Sequence, residues 1–378
     1  MRTIYLDYNA TTPLAPAVQE AMLPFLAEHY GNPSSSHALG CACREAVADA
    51  RSRVASLVGA DSDEIVFTSG GTEANNLALK GLAFRRFPVE KGRLVISAFE
   101  HPSVAEPARF LERLGFTLSM APTSAKGVVD PRQVAAAIRP DTLLVSVMHA
   151  NNEIGVVQPI REIAEVCRQR GVLLHTDAAQ SVGKIRVSVA ELGVDLLSIA
   201  GHKLYAPKGV GALYVRRSTT LEPLLHGSAH ERGLRAGTEN VASIVGLGHA
   251  AALAEKSLAE SGPRLAMFRD RLQNRLQESI GKGLTINGRA AERLPNTLSI
   301  NFPGVTGGAL LRPLPELCAS SGAACHSGST QMSPTLAAIG LSPEVARGAV
   351  RLSLGWYTSE EEIDRAASLL IAAWEALH

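Results

Sequence analysis

Short apolar runs alternate with longer amphipathic stretches between about residues 60 and 215. The runs have the length of strands that are buried on both faces, and residues 160–170 carry apolar side chains at helical spacing. Strands alternating with helices predict βαβ crossovers, and hence an α/β fold with a mostly parallel sheet covered on both sides. The predicted strands are centred on residues 65–67, 94–96, 143–145, 172–174 and 195–199.

The pattern changes after about residue 240. It predicts two long helices, over residues 241–260 and 263–281, and then short strands around residues 284–286 and 297–301. A last helix is predicted to begin at Ser359, because Glu362 completes a capping box. We therefore expect a large domain, residues 16–257, and a smaller α+β domain formed by residues 1–15 with 258–378.

Composition and charge exclude several classes of protein. Hydrophobic residues make up 46% and charged residues 19% of the chain, as in ordinary globular proteins. A net charge of +1 argues against a nucleic-acid or membrane-surface partner. No signal peptide and no run of ~20 apolar residues is visible, so we expect a cytoplasmic protein.

Five cysteines, an odd number, predict reduced thiols rather than a disulfide framework. Cys41 and Cys43 lie where a helical pattern begins. A metal site there would need two further ligands, which the surrounding sequence does not offer. We therefore expect these two cysteines to be side chains at the start of a helix, and we predict no metal.

Two segments follow predicted strands and offer polar groups. Gly70, Gly71 and Thr72 join a strand to a helix, and such a turn can bind phosphate through its backbone N–H groups. Many turns of this kind bind nothing. Asp177 follows the strand at 172–174, where ligands gather in open α/β sheets, although it could also be the N-cap of a helix.

Lys203 lies beyond the strand at 195–199, in a stretch that is otherwise apolar or rich in glycine. Lysine amines form Schiff bases with aldehydes, and burial favours the free amine that attacks. Pyridoxal phosphate requires such a lysine, a partner for its ring nitrogen and a phosphate cradle. Lys203, Asp177 and the turn at 70–72 supply one of each.

With these segments in view, the chain resembles the cysteine desulfurases of the NifS/IscS type, in the class V aminotransferase family of fold-type I pyridoxal-phosphate enzymes. The resemblance implies a large domain with a mostly parallel seven-stranded sheet and a smaller C-terminal domain. The matching motifs occupy residues 5–13, 31–35, 100–101, 151–155, 201–203, 231–240, 320–325 and 350–353.

The resemblance also implies roles for single residues. Lys203 would bind the cofactor covalently, Asp177 would pair with its ring nitrogen, and Gln180 would bond its ring oxygen. His101 would stack on the ring, although it could instead be a polar core histidine. The residues implied for the phosphate are Gly71, Thr72 and His202, joined in a homodimer by Thr238 of the partner subunit.

Substrate binding is implied for Asn32, Asn152, which would also touch the cofactor ring, and Arg351, which would hold the substrate carboxylate. Arg351 could instead be a surface ion-pair residue. Two departures from the family pattern stand out: Ala200 replaces a serine that binds phosphate in many relatives, and residues 226–231 replace a sequence richer in glycine.

Cys325 stands among small residues and glycine, which predicts a loop rather than a packed strand. The resemblance implies that L-cysteine becomes L-alanine while Cys325 takes the sulfur as a persulfide. The sulfur would then pass to an acceptor, such as an iron–sulfur scaffold or a thiolation protein. Two alternatives stay open. The first is a selenocysteine lyase, because the sequence around Cys325 also resembles the lyases of this family. The second is a non-catalytic sulfur-relay module of the same fold.

Overall fold

A computed structural model describes residues 3–85, 91–322 and 332–377. The strands are β1 Ile4–Tyr5, β2 Ile65–Thr68, β3 Arg93–Ser97, β4 Thr117–Ala121, β5 Thr142–Ser146, β6 Leu173–Asp177, β7 Leu196–Ala200, β8 Gly211–Val215, β9 Thr285–Ile286, β10 Thr297–Asn301, β11 Leu317–Cys318, β12 Ser320–Ser321 and β13 Ala349–Ser353. The α-helices are α1 Pro16–Ala27, α2 Ala38–Val58, α3 Gly71–Phe84, α4 Pro102–Arg113, α5 Pro131–Ala137, α6 Ile160–Gln169, α7 Val189–Leu192, α8 Val241–Ile280, α9 Gly307–Leu311, α10 Pro334–Ala338, α11 Pro343–Arg347 and α12 Glu360–Glu375.

Strands β2 to β8 form a seven-stranded sheet in the order β2-β8-β7-β6-β5-β3-β4. Only β8 among them runs against the others, which confirms the mostly parallel sheet. All five strands expected from apolar runs are present. Two strands of this sheet were not predicted, β8 and β4, and β4 is an edge strand that mixes exposed and buried positions.

Both faces of this sheet are covered. In β3, Val95 packs into one hydrophobic cluster, whereas Leu94 and Ile96 pack into another on the opposite face. Helices α2, α6 and α8 contribute to the first cluster, and α3 and α4 contribute to the second. Two-sided burial explains why the strands read as continuous apolar runs.

The C-terminal part contains a four-stranded antiparallel sheet in the order β12-β13-β10-β9, while β1 pairs in parallel with β11. Ile4 and Leu6 share a core cluster with apolar residues of α8, β10, β13 and α12. Ser359 and Glu362 form the expected capping box. The start of the chain thus packs with its end.

One expectation about this region is wrong. Residues 241–280 form a single helix with Pro263 inside it, rather than two helices. A proline within a helix costs about 3 kcal/mol, and burial of Ala254, Ser261 and Leu265 along the helix offsets that cost. The domain limits, 16–257 and 1–15 with 258–378, stay a prediction. Among the described helices, none is long and apolar enough to cross a membrane.

Candidate active site

Lys203 lies directly after β7, in a single 3₁₀ turn over Gly201–Lys203. Its Nζ donates hydrogen bonds to the backbone carbonyl oxygens of Asn9, at 2.6 Å, and Ala10, at 2.5 Å. Burial lowers the pKa of the Lys203 amine to about 8, and the Arg351 guanidinium adds to the shift. The amine is therefore much more available as a nucleophile at neutral pH than an exposed lysine would be.

Asp177 ends β6, the strand next to β7, and is buried. One carboxylate oxygen accepts from the backbone N–H of Ala179, at 2.9 Å, and the other from Nδ2 of Asn75, at 2.8 Å. The alternative role as a helix N-cap is wrong, because residues 178–187 form turns and the next helix is α7.

The turn between β2 and α3 has an open anion-binding geometry. Gly70 is the N-cap of the 14-residue helix α3, and no atom lies within 4 Å of where its Cβ would be. A Cβ on Gly71 would meet the Cβ of Ala200 at 3.1 Å. Ala200 therefore lies against the turn without offering a hydroxyl, while Thr72 is exposed at the first helical turn.

His101 is the N-cap of α4, where its Nδ1 accepts from the backbone N–H of Ser103 at 3.1 Å. Burial lowers the pKa of the His101 ring. The ring is not a core histidine, because it lines a cavity of about 960 Å³ together with Asn152, Arg351 and Cys318.

Gln180 and His202 lie close to Lys203. Nε2 of Gln180 donates to the carbonyl oxygen of Asn9, at 3.0 Å, and Nδ1 of His202 lies 3.2 Å from Oγ1 of Thr11. Burial is the main cause that lowers the pKa of His202 to about 4. The ring is therefore neutral at physiological pH.

Arg351 extends from β13 and is largely buried. Its Nη2 donates to Asp7, at 2.7 Å, and to Oγ of Ser320, at 2.9 Å, while Nη1 donates to the carbonyl oxygen of Asn152, at 3.1 Å. Its Nε has no partner within the described residues. Arg351 is thus an ion-pair residue, but not a surface one, and its Nε is a buried donor without a partner in the described parts of the chain.

Asn9 was missed by sequence reasoning, although its motif was recognised. Its Nδ2 donates to the carbonyl oxygen of Asn152, at 3.1 Å, and to Thr297, at 2.9 Å. Its Oδ1 accepts from Lys184, at 3.2 Å, and from Asn296, at 3.1 Å. A buried asparagine in a short polar motif has no period or spacing that could have revealed this set of contacts.

Other predicted site residues are not joined to this group. Asn32 and Thr238 are exposed, and within the described parts of the chain no hydrogen bond links either to the residues around Lys203. Cys325 lies outside the described residues. Cys41 and Cys43 occupy the first two turns of α2, as expected.

These groups match the chemical needs of pyridoxal phosphate. The cofactor requires an amine, a carboxylate for its ring nitrogen and an anion site. Asp177 ends β6, Lys203 lies in the turn that follows the adjacent strand β7, and the open turn at Gly70 begins a helix beside them. The unpartnered Nε of Arg351 adds a donor for a second anionic group. The residues present therefore fit this cofactor.

Comparison with known proteins places the same chemistry in its relatives. The family model described as aminotransferase class-V matches residues 4–366. A protein of Dictyoglomus turgidum named cysteine desulfurase IscS is 46% identical over 371 residues, which cover 98% of this chain and 94% of the relative. A cysteine desulfurase IscS of Histophilus somni is 48% identical over 380 residues, covering 99% and 93%.

Solved structures agree. A NifS-like protein superposes with a TM-score of 0.91 at 36% identity, covering 99% of each chain. The structure of SspA in complex with cysteine superposes with a TM-score of 0.84 at 39% identity, covering 94% of this chain and 100% of SspA.

Proposed function

Because the chain belongs to the class V aminotransferase family, we propose that its site performs the reaction named for its nearly full-length relatives, pyridoxal-phosphate-dependent cysteine desulfuration. The observation that carries this proposal is the amine of Lys203, whose pKa is lowered to about 8. It lies at the same sheet edge as the Asp177 carboxylate and the open turn at Gly70.

Each residue has a task in this reaction. When bound, pyridoxal phosphate supplies an electron sink for the bonds of the substrate α-carbon. Lys203 would hold the cofactor and move a proton at its Nζ. Asp177 would accept a hydrogen bond from the ring nitrogen, and His101 would cover the ring. Gly71, Thr72 and His202 would bind the phosphate, and Gln180 would donate to the ring oxygen.

The substrate side is formed by Arg351, with Asn152 and Asn32. The free Nε of Arg351 would donate to the substrate carboxylate. Cys325 would provide the thiolate that attacks the substrate sulfur. The C–S bond breaks, an S–S bond forms, and the carbon is protonated, so that cysteine and one thiol give alanine and one persulfide.

The test is incubation of the cofactor-loaded protein with L-cysteine, followed by measurement of alanine and by mass spectrometry of the cysteine-containing peptides. We expect alanine to form and one added sulfur on Cys325. Cys325→Ala should abolish alanine formation, whereas Cys41→Ala should not. Added sulfur on Cys318 instead would make that residue, which lines the cavity, the acceptor.

Selenocysteine provides the second arm of the test. A selenolate leaves more readily than a thiolate, so its release depends less on a thiol nucleophile. Cys325→Ala should therefore retain more activity on selenocysteine than on cysteine. Turnover of selenocysteine alone by the parent protein would replace the desulfurase assignment with selenocysteine lyase. If the parent protein turned over neither substrate, the non-catalytic sulfur-relay module would be the remaining alternative.

We also propose a homodimer in which Thr238 completes the phosphate site of the partner subunit. Thr238 is exposed, and over residues 3–85, 91–322 and 332–377 it makes no hydrogen bond to the residues around Lys203 of its own chain. Lys203→Ala and Thr238→Ala proteins, mixed to exchange subunits, should regain activity because one site per hybrid is intact. If the subunits were shown to exchange and the mixture still did not regain activity, Thr238 would belong to the site of its own subunit or lie outside the site.

The sulfur would pass to an acceptor protein, such as an iron–sulfur scaffold or a thiolation protein, in the cytoplasm. A reducing compartment is supported by the four described cysteines, which are all free thiols. Transfer of labelled sulfur from the persulfide to a purified scaffold would test the first acceptor class.

A further inference from the structure

Lys184 is a half-buried lysine for which the reaction above has no task. Its Nζ donates to Oε1 of Gln180, at 2.7 Å, and to Oδ1 of Asn9, at 3.2 Å. Burial lowers the pKa of this amine well below its ordinary value, and Lys203 and Arg351 add to the shift by repulsion. No carboxylate pairs with it among the described residues, so its burial is costly and calls for a compensating role.

The contacts of Gln180 show what that role is. Its amide lies between two groups that constrain it from opposite ends. A backbone carbonyl can only accept, so the contact with Asn9 requires the NH₂ end. With the NH₂ end fixed by Asn9, the carbonyl end faces Lys184, and Oε1 accepts from the lysine amine at 2.7 Å. The amide therefore has one allowed orientation.

We propose that Lys184 is a positioning residue that holds the Gln180 amide with its NH₂ group available to the ring oxygen of the cofactor. This inference rests on the proposed function. Without Lys184, the Oε1 end would lose its donor, and only the contact with the Asn9 carbonyl would hold the amide in its orientation. A rotated amide would present an acceptor to the anionic ring oxygen, which would repel it.

A double-mutant cycle distinguishes this role from a general structural one. The variants are Lys184→Met, which keeps the length of the side chain but removes its donors, Gln180→Ala, and the pair. The primary measurement is the affinity of the cofactor-free proteins for pyridoxal phosphate. Each single variant should bind about tenfold more weakly, because each weakens or removes the hydrogen bond from Gln180 to the charged ring oxygen. The double variant should bind no more weakly than Gln180→Ala.

The visible absorbance of the bound cofactor is a second readout that does not depend on turnover. Its maximum should shift in the same direction and by the same amount in Lys184→Met and Gln180→Ala. Lys208→Met is the matched control, since Lys208 is exposed. It should leave the absorbance maximum unchanged and the affinity within about twofold of the parent.

Gln180→Glu keeps the test valid if Lys184→Met does not fold. A glutamate can still accept from Lys184 but offers no donor to the ring oxygen, so it should bind the cofactor at least as weakly as Gln180→Ala. The proposal would be overturned if the losses of affinity in the cycle were additive. It would also be overturned if either Lys184→Met or Gln180→Glu bound the cofactor with the parental affinity. A parent that binds no pyridoxal phosphate would instead overturn the proposed function itself.

Discussion

The two sides of the candidate active site are built differently. On the sheet side, Lys203, Asp177 and Gly70 each follow the end of a strand. On the substrate side, Arg351 is held by Asp7, which lies 344 positions away, and by Ser320. Cofactor chemistry is thus encoded in local strand-to-loop segments, whereas the substrate clamp depends on how distant segments pack.

Loss of the amine is the largest change that can be made on the sheet side. Lys203→Ala should reduce alanine formation from cysteine below detection and remove the visible absorbance of the lysine-bound cofactor, because no amine remains to bind the aldehyde. Lys208→Ala removes an exposed lysine five positions away and should retain both. Alanine release by Lys203→Ala at the parental rate would contradict the assignment.

A change at Arg351 tests whether substrate binding can be altered without altering cofactor binding on the sheet side. Arg351→Lys keeps a charge beside Asp7 but loses the forked donors, so kcat/KM for cysteine should fall about 100-fold, mainly through KM. Cofactor affinity should stay within about twofold. Arg347→Lys, at an exposed position, is the control. A loss of cofactor affinity without a rise in KM would show that the two sides are not separable.

Glu100 makes the sheet side sensitive to alkaline pH. Burial raises the pKa of this carboxyl to about 8. Its ionisation is free in the unfolded chain but costly in the fold, so stability is lost as the pH rises from the unfolded pKa through about 8. Glu100→Gln should therefore gain stability over the parent, by about 2 kcal/mol more at pH 9 than at pH 6, in denaturant unfolding.

The exposed Glu106 on α4 provides a control for that comparison. Glu106→Gln should show the same difference from the parent at both pH values. If the stability gained by Glu100→Gln over the parent were the same at pH 6 and pH 9, the parental carboxyl would not be buried in its neutral form.

The smallest predicted effect concerns the rate at which cofactor-free protein captures pyridoxal phosphate. A pKa of about 8 means that Lys203 is mostly protonated at pH 7 and mostly free at pH 9. The rate should rise roughly tenfold over this range and then level off. Nα-acetyllysine, measured in parallel, should show a rise of about 100-fold with no plateau. The same steep rise in the protein would mean that its amine is not perturbed.

The success of the sequence-based predictions differs in the same way between the sheet side and the substrate side. Five of the seven strands of the large sheet and the segments at Gly70, Asp177 and Lys203 were predicted, because apolar runs and punctuating residues are local signals. The contacts of Arg351 with Asp7 and the many contacts of Asn9 were not, since they join segments far apart in the chain. The continuous helix α8 was missed because packing overrode the local signal of Pro263.

The central claim is that Lys203 holds pyridoxal phosphate, and chemical trapping tests it most directly because a second lysine, Lys184, also contacts Asn9 in the same site. Borohydride reduction of the cofactor-loaded protein would make the attachment permanent, and peptide mass spectrometry would locate it. We predict the label on Lys203 alone, with Lys184 and Lys208 unmodified. A label on Lys184, or no label on any lysine of a protein that binds the cofactor, would contradict the account.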